Sequence, residues 1–429
     1  MAQVIIKKIK SLSGEILIPG DKSTSHRALI LGAIAEGSTQ INGYLDCADT
    51  NCTLQALKAM GVTVEQPNTT QVIIHGVGKE GLKAPSEPLY LGNSGTSMRL
   101  LSGLLVAQNF DSELIGDPSL SKRPMGRIIE PLRKMGAVIS GTDKGTAPLK
   151  IQGGQALKGM SLKLEIASSQ LKSCLLLAGL YAEGTTTLEE AHLTRDHTER
   201  MLGRFSYPLS KVGPAVVLQG KGRLHGRVVD VPGDLSSAAF FIVAATIVAN
   251  SELLIRDVGI NPTRTGIISI LRLMGADITV ENTRNLGNEP IADIRVRSAQ
   301  LRGIEIPKHF VSLAIDEFPI LFIAAACAKG KTTLEGVEEL RHKESDRITS
   351  MLEGLKRLGI NICEKEKHGV VVDGGTMEGG TINSYKDHRV AMAFVVAGLV
   401  AKKPVIIDHS ECVNVSFPNF IALLEQVSN

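Results

Sequence analysis

Tryptophan is absent from this chain and aromatic residues make up only 3% of it, which leaves few flat faces on which single-stranded nucleic acid could stack its bases. The formal net charge is +3, too small to supply the continuous basic face that a nucleic-acid reader needs. Any positive field must therefore be local. The longest apolar run, Ala238 to Ala249, falls short of the ~20 residues that a bilayer-spanning helix requires. The six cysteines, Cys47, Cys52, Cys174, Cys327, Cys363 and Cys412, form no CxxC pair and have no histidine beside them at metal-ligand spacing. Cys174 and Cys327 lie in apolar helical stretches and read as small buried side chains. The amino terminus, MAQVIIKKIKSLSGEILIPG, alternates like a strand and lacks a signal-peptide core. These absences predict a reduced, cytoplasmic protein with neither nucleic acid nor membrane as a partner. No interface-like stripe stands out, so a monomer is expected.

What is present is a repeat. Six times a short polar cluster runs into a long apolar stretch: GDKSTSHRALILGAI from Gly20, GNSGTSMRLLSGLLV from Gly92, IASSQLKSCLLLAGL from Ile166, PGDLSSAAFFIVAATIV from Pro232, AIDEFPILFIAAAC from Ala314 and KDHRVAMAFVVAGLV from Lys386. The spacing of roughly seventy residues suits a supersecondary block of two helices and several strands. Each cluster predicts a helix start, with Ser, Thr, Asp or Asn placed to cap free N–H groups. A second, amphipathic helix follows in most copies, stopped by Gly61, Gly136, Gly275 or Gly359; the third copy, HTERMLGRFSYPLSKVG, is degenerate. Thr- or Val-rich strands such as AEGTTTL and AKGKTTL complete a mixed α/β unit. A chain of 429 residues is too long for one ordinary core. Pro-Gly-Asp recurs at Asp21 and Asp234, which predicts a double hinge between an inserted domain, 21–230, and a discontinuous one, 1–20 plus 231–429. Three repeats fall in each. Convergent helix starts attract anions, and two connections favour closure around a ligand.

The clusters also carry the chemistry. In the first, Lys22, the hydroxyls of Ser23 to Ser25, and Arg27 one turn inside offer one phosphate a point charge, N–H groups and a guanidinium fork. An ordinary capped helix with solvated charges is an even alternative, and His26 reads as structural. Asn93-Ser94-Gly95-Thr96 lets a ligand approach the backbone. Lys122, Arg123 and Arg127 surround a Pro-Met-Gly bend that reads equally as a solvated basic loop. Ser168-Ser169-Gln170 suits binding, while Arg195-Asp196-His197 lacks an activated nucleophile. Asp316 stands between a strand-like stretch and an apolar helix, where partial burial would raise its pKa and suit it to proton transfer; a plain N-cap is the alternative. If Ser345 or Asp346 caps the next helix, Lys343, Glu344 and Arg347 gather at its mouth. Arg389 in Asp387-His388-Arg389 is the anion ligand of the last copy.

In order, GDKSTSHR, LGNSGTSMRL, RPMGRI, SSQLKS, RDHTE, PGDLSSA, KESDR and DHR resemble the 5-enolpyruvylshikimate-3-phosphate synthase family across essentially the whole chain. LGNSGTSMRL and RDHTERM are more similar to its second bacterial class. The resemblance implies the two-domain enolpyruvyl transferase fold, with six βαβαββ repeats arranged three per domain around an interdomain cleft. It implies transfer of the enolpyruvyl group of phosphoenolpyruvate to the 5-hydroxyl of shikimate 3-phosphate, with phosphate released by addition and elimination, in the pathway to chorismate and aromatic amino acids. No metal or cofactor is implied. Carried over by motif, Lys22, Ser23, Arg27, Ser168, Ser169, Arg195, Asp316 and Lys343 would hold shikimate 3-phosphate. Lys22, Gly95, Arg123, Gln170, Arg347 and Arg389 would hold phosphoenolpyruvate. Asp316 is implied as the base for the attacking hydroxyl, helped by Lys343, and Glu344 and Lys22 as the groups that move protons at the methylene carbon.

Two positions depart from the family pattern. Val415 stands where some members carry Lys, and Glu339 where many have Asn. A sister family on the same fold acts on UDP-N-acetylglucosamine with a Lys-Asn pair and a loop carrying Cys or Asp; Lys22-Ser23 and the cysteine-free SKRPMGR argue against it. A noncatalytic phosphometabolite binder would need the arginines but not Asp316 and Glu344 beside a lysine.

Overall fold

The computed structural model describes residues 2–365 and 369–429. The chain divides into two compact units, one of Met1–Pro19, Pro232–Asn285 and Pro290–Asn429, the other of Gly20–Val231 with Leu286–Glu289. Two of the four crossings fall at the Pro-Gly pairs, Pro19-Gly20 and Pro232-Gly233. No sequence signal marks residues 286–289 for the inserted unit.

The inserted unit carries helices α1 (Lys22–Ala33), α2 (Ala48–Ala59), α3 (Gly95–Leu105), α4 (Gly126–Lys134), α5 (Ser169–Gly179) and α6 (His197–Arg204). The discontinuous unit carries α7 (Leu235–Ile247), α8 (Gly266–Leu273), α9 (Phe318–Ala326), α10 (Arg347–Arg357), α11 (His388–Gly398) and α12 (Phe420–Val427). Odd-numbered helices grow from the polar clusters; even-numbered ones are the second helices. Side chains of Asp21, Ser94, Ser168, Asp234 and Asp387 cap α1, α3, α5, α7 and α11. Only α9 among the odd helices lacks such a cap, so the clusters act at helix starts as their composition requires. Gly61, Gly136, Gly275 and Gly359 have φ of +85°, +102°, +98° and +84° at the ends of α2, α4, α8 and α10. In the degenerate third copy Ser206, at φ +62°, adopts that left-handed conformation after α6 instead.

Each helix pair has its own small sheet of three or four strands. In the third repeat Ser161–Leu164 runs parallel to Thr185–Glu190, with α5 as the crossover that parallel pairing demands. Ala215–Gln219 and Leu209–Val212 then extend the sheet antiparallel. The first and fourth repeats exchange lead strands. Ser13–Leu17 precedes α1 but runs parallel to Glu252–Gly259 after α7, with Ser13 opposite Glu252. Val228–Asp230 precedes α7 but runs parallel to Glu36–Asn42 after α1, with Val228 opposite Gln40. Gln3–Ile6 joins the sixth repeat, antiparallel to Val405–Asp408.

The units have separate cores. In the discontinuous unit every residue of α9 is buried, and every residue of α7 except Ile247, as their all-round apolar sequences require. Phe240, Phe241, Phe417 and Phe420 pack there as a cluster, with the Phe241 and Phe420 rings 5.5 Å apart and nearly perpendicular. In the inserted unit α3 crosses α5 so closely that a Cβ on Gly103 would lie 2.1 Å from the carbonyl oxygen of Cys174. Helix starts are thereby fixed on rigid supports.

Candidate active site

Three helix starts in the inserted unit carry predicted binding residues. Asp21 accepts from the Thr24 N–H at 2.7 Å, which leaves Lys22 and Ser23 in the first turn of α1. Lys22 Nζ lies 2.7 Å from Asp49 Oδ2 of α2, an acid that no sequence signal singled out. Arg27 is buried and its guanidinium is already oriented: Nε donates to Thr198 Oγ1 at 2.6 Å, Nη1 to the Ser23 carbonyl at 2.9 Å and Nη2 to Ser173 Oγ at 2.7 Å. His26 is buried with Nδ1 2.8 Å from Thr53 Oγ1. Burial first, then the Lys22 and Arg27 charges, holds its imidazole well below the ordinary histidine range, in keeping with a structural role.

At α3, a Cβ on Gly95 would stand 3.1 Å from Arg123 Nη1 and 3.2 Å from Arg99 Nη1. Two guanidiniums thus come up against one glycine at a helix N-terminus, an arrangement suited to an anion. Arg123 is buried and donates to Asn93 Oδ1, whereas Lys122 beside it is exposed. The basic loop is therefore not uniformly solvated. Arg99 donates to Gln170 Oε1, and Gln170 Nε2 donates to Thr96 Oγ1 at 3.0 Å, tying the start of α5 to that of α3. The sequence reading passed over Arg99, although its position one helical turn after Gly95 was a usable signal. Ser168 caps α5 at 3.3 Å from the Leu171 N–H, and Ser169 follows, both half-buried. Arg195 lies in the loop 191–196 before α6.

The discontinuous unit carries the acids. Asp316 is not a helix cap: Glu317 occupies the N-cap position of α9 without capping it, and its buried carboxylate accepts from Ser236 Oγ. Asp316 Oδ1 lies 3.4 Å from Lys343 Nζ and 3.5 Å from Arg347 Nη1. The carboxylate is partly buried, as its place in the sequence suggests, and two cations stand beside it. Asp346 caps α10, accepting from the Thr349 N–H at 3.1 Å. Arg347 opens that helix beside Glu344, and its side chain is only 1% exposed. Its Nε donates to Asp387 Oδ2 at 2.8 Å and its Nη2 to Glu344 Oε2 at 2.7 Å, while Nη1 makes no hydrogen bond among the described residues. Burial opposes this charge, but Asp387, Glu344 and Asp316 outweigh it and hold the guanidinium above its already high range. Burial is the largest influence on Asp387 and pushes it up, but the Arg347 and His388 charges and the Arg347 hydrogen bond together leave it below the usual carboxylate range. Arg389, in the first turn of α11, donates to the Asp316 carbonyl at 3.1 Å.

The inserted unit thus carries lysine, arginine and hydroxyl groups at its helix starts, and the discontinuous unit carries Asp316 and Glu344 with Lys343, Arg347 and Arg389. Val415 is half-buried in the 3-10 turn Ser410–Val415, and Glu339 in the turn Glu338–His342. Among the described residues no three His, Cys, Asp or Glu side chains are arranged to hold a metal ion, and no helix is long and apolar enough to cross a membrane.

Comparison with known proteins gives the family. The profile of the EPSP synthase (3-phosphoshikimate 1-carboxyvinyltransferase) family matches residues 6–424. A 3-phosphoshikimate 1-carboxyvinyltransferase of Legionella pneumophila is 55% identical over 421 residues, covering 98% of this chain and 97% of its own. The solved EPSP synthase of Acinetobacter baumannii superposes with a TM-score of 0.88 at 52% identity, over 99% of this chain and 98% of that one. The enolpyruvyl transferase NikO of Streptomyces tendae, at 19% identity, shares the fold with a TM-score of 0.80 over 100% of this chain and 98% of its own. Repeat, helix starts and paired acids thus come together in one assignment: this chain belongs to the EPSP synthase family.

Proposed function

We propose that this protein transfers the enolpyruvyl group of phosphoenolpyruvate to the 5-hydroxyl of shikimate 3-phosphate and releases phosphate, acting as a cytoplasmic monomer on small molecules in the route to aromatic amino acids. The observation that carries the reading is the pair of carboxylates on one buried guanidinium: Asp316 near Nη1 and Glu344 on Nη2 of Arg347, with Lys343 beside Asp316. Enolpyruvyl transfer needs an acid and a base at different atoms of the substrates.

In the addition step the 5-hydroxyl oxygen bonds to C2 of phosphoenolpyruvate, its proton passes to Asp316, and Glu344 or Lys22 delivers a proton to C3, turning the methylene into a methyl. The phosphate stays on C2 in this tetrahedral adduct. In the elimination step the bond from C2 to the phosphate-bearing oxygen breaks, phosphate leaves with the proton that Asp316 took from the 5-hydroxyl, and a methyl proton returns to the same acid–base group, forming the enol ether. Lys22, Arg123, Arg347 and Arg389, with Gly95 and Gln170, are assigned to phosphoenolpyruvate; a leaving phosphate held by fixed cations costs little reorganisation. Lys22, Ser23, Arg27, Ser168, Ser169, Arg195, Asp316 and Lys343 are assigned to shikimate 3-phosphate. A double hinge near residues 20 and 231 is proposed from the recurring Pro-Gly-Asp bends.

The test is phosphate release from phosphoenolpyruvate with shikimate 3-phosphate, run beside UDP-N-acetylglucosamine, both in chelator. Release with shikimate 3-phosphate alone is expected. Release with the UDP sugar would move the protein to the sister activity, and none with either would leave a binding protein.

A further inference from the structure

Inside the inserted unit lies a buried charge cluster that the reaction does not use directly. Lys172, in α5, is fully buried, and its Nζ lies 2.8 Å from Glu190 Oε2 and 2.7 Å from Glu199 Oε1. Glu190 ends the strand Thr185–Glu190, and Glu199 sits in the first turn of α6. Between them runs the loop 191–196, which carries Arg195. One lysine therefore fastens both ends of one loop. Thr194, within the loop, donates to the other oxygen of Glu190. The next residues along repeat the pattern: Ser173 lies 2.7 Å from Thr198, and both bond Arg27.

Energetics decide what such a cluster is for. Taking a lysine and two carboxylates out of water costs several kcal/mol per ion, and well-packed apolar or neutral groups in their place are often no less stable. With Glu190 and Glu199 neutralised as well, an apolar residue at position 172 could hold α5 to its sheet as well as lysine does. What it would not do is fix Glu190 and Glu199 at one point, and with them the two ends of the Arg195 loop.

We propose that Lys172 is a positioning residue for shikimate 3-phosphate recognition, holding the loop that presents Arg195 and keeping it in register with Arg27 and the Ser168–Ser169 helix start. The proposal rests on the reading that Arg195 binds that substrate. Its test uses Lys172→Met and a neutralised variant, Lys172→Met with Glu190→Gln and Glu199→Gln, measured for KM of each substrate, kcat, Tm and amide exchange of 191–196 in the ligand-free protein. Lys172→Met is expected to raise KM for shikimate 3-phosphate about tenfold or more, since a displacement near 1 Å can cost that much, with KM for phosphoenolpyruvate within about twofold and faster exchange in the loop. The neutralised variant should melt at or above the single variant and keep the raised KM. Unchanged loop exchange, an unchanged KM for shikimate 3-phosphate, or equal rises in both KM values tracking a lower Tm would each overturn the proposal. If Lys172→Met fails to fold, the neutralised variant decides; its failure too would show the triad to be structural and overturn the proposal. Wild-type protein inactive with shikimate 3-phosphate would instead sink the functional reading, and this proposal with it, which the wild-type control run first makes plain.

Discussion

Asp316 and Glu344 lie against different nitrogens of the Arg347 guanidinium, so replacing either carboxylate tests chemistry more than shape. Asp316→Asn and Glu344→Gln should each lower kcat by about a hundredfold to ten-thousandfold, while substrate affinity measured by titration changes far less; equal losses of turnover and binding would count against the acid–base assignment. Gly95 tests shape. Alanine there would press on the ends of Arg123 and Arg99 at 3.1 and 3.2 Å, contacts the flexible guanidiniums can relieve only by moving. Gly95→Ala should therefore raise KM for phosphoenolpyruvate about tenfold with KM for shikimate 3-phosphate little changed, read from steady-state kinetics with each substrate varied in turn. What could be read at this level from sequence was local. Asp346 as a cap follows from Thr349 three positions away. The partners of Lys22 and Lys172 could not be read, because Asp49, Glu190 and Glu199 belong to other helices or strands, and only packing brings them near.

The starts of α10 and α11 are held as one assembly, since Asp387 caps α11 through the Arg389 N–H at 2.9 Å while pairing with Arg347 at the start of α10. Asp387→Asn would leave a fully buried arginine short of a charge partner, a change that costs about 3–5 kcal/mol in comparable pairs and should appear as a lower Tm. Its pH dependence has a definite sign. Burial, the largest influence, raises the Asp387 pKa, but the charges of Arg347 and His388 and the Arg347 hydrogen bond together lower it by more, so the folded value lies below the unfolded one of about 3.9. The stability it contributes is fully present above that pH and is lost as pH falls through the lowered folded value. Melting curves from neutral pH to about pH 3 should show a shallower acid decline for the Asn variant than for wild type. The α3–α5 crossing makes a different demand. Gly103→Ala sets a Cβ against the Cys174 backbone, which cannot rotate away, and should destabilise by about 1–3 kcal/mol, measured by denaturant titration. Helix starts and stops were legible because caps and left-handed glycines are written in adjacent residues. The strand exchange between the first and fourth repeats was not, since Ser13–Leu17 and Val228–Asp230 look like any lead strand in front of its own helix.

Two separate cores and that exchange set how the chain can be divided. The core of the inserted unit is drawn wholly from Ala28 to Val231, so a fragment of residues 20–231 should fold alone with a cooperative melt, followed by circular dichroism. Residues 232–429 should not, because Leu12, Ile16 and Ile18 belong to their core and Ser13–Leu17 to their sheet; adding a peptide of residues 1–19 should restore the fold. A fragment 232–429 that melts cooperatively by itself would show the exchanged strand to be dispensable. The same exchange governs what happens on the ribosome. Leu12 finds its partner, Ser251, 239 residues later, which at ~5–20 residues per second is a delay on the order of ten to fifty seconds. The inserted unit can be complete before the first strand of the protein has anything to pair with. During that wait two short strands hang from the nascent chain, and Lys7, Lys8 and Lys10, lying between Gln3–Ile6 and Ser13–Leu17, keep them charged and poor templates for stray pairing.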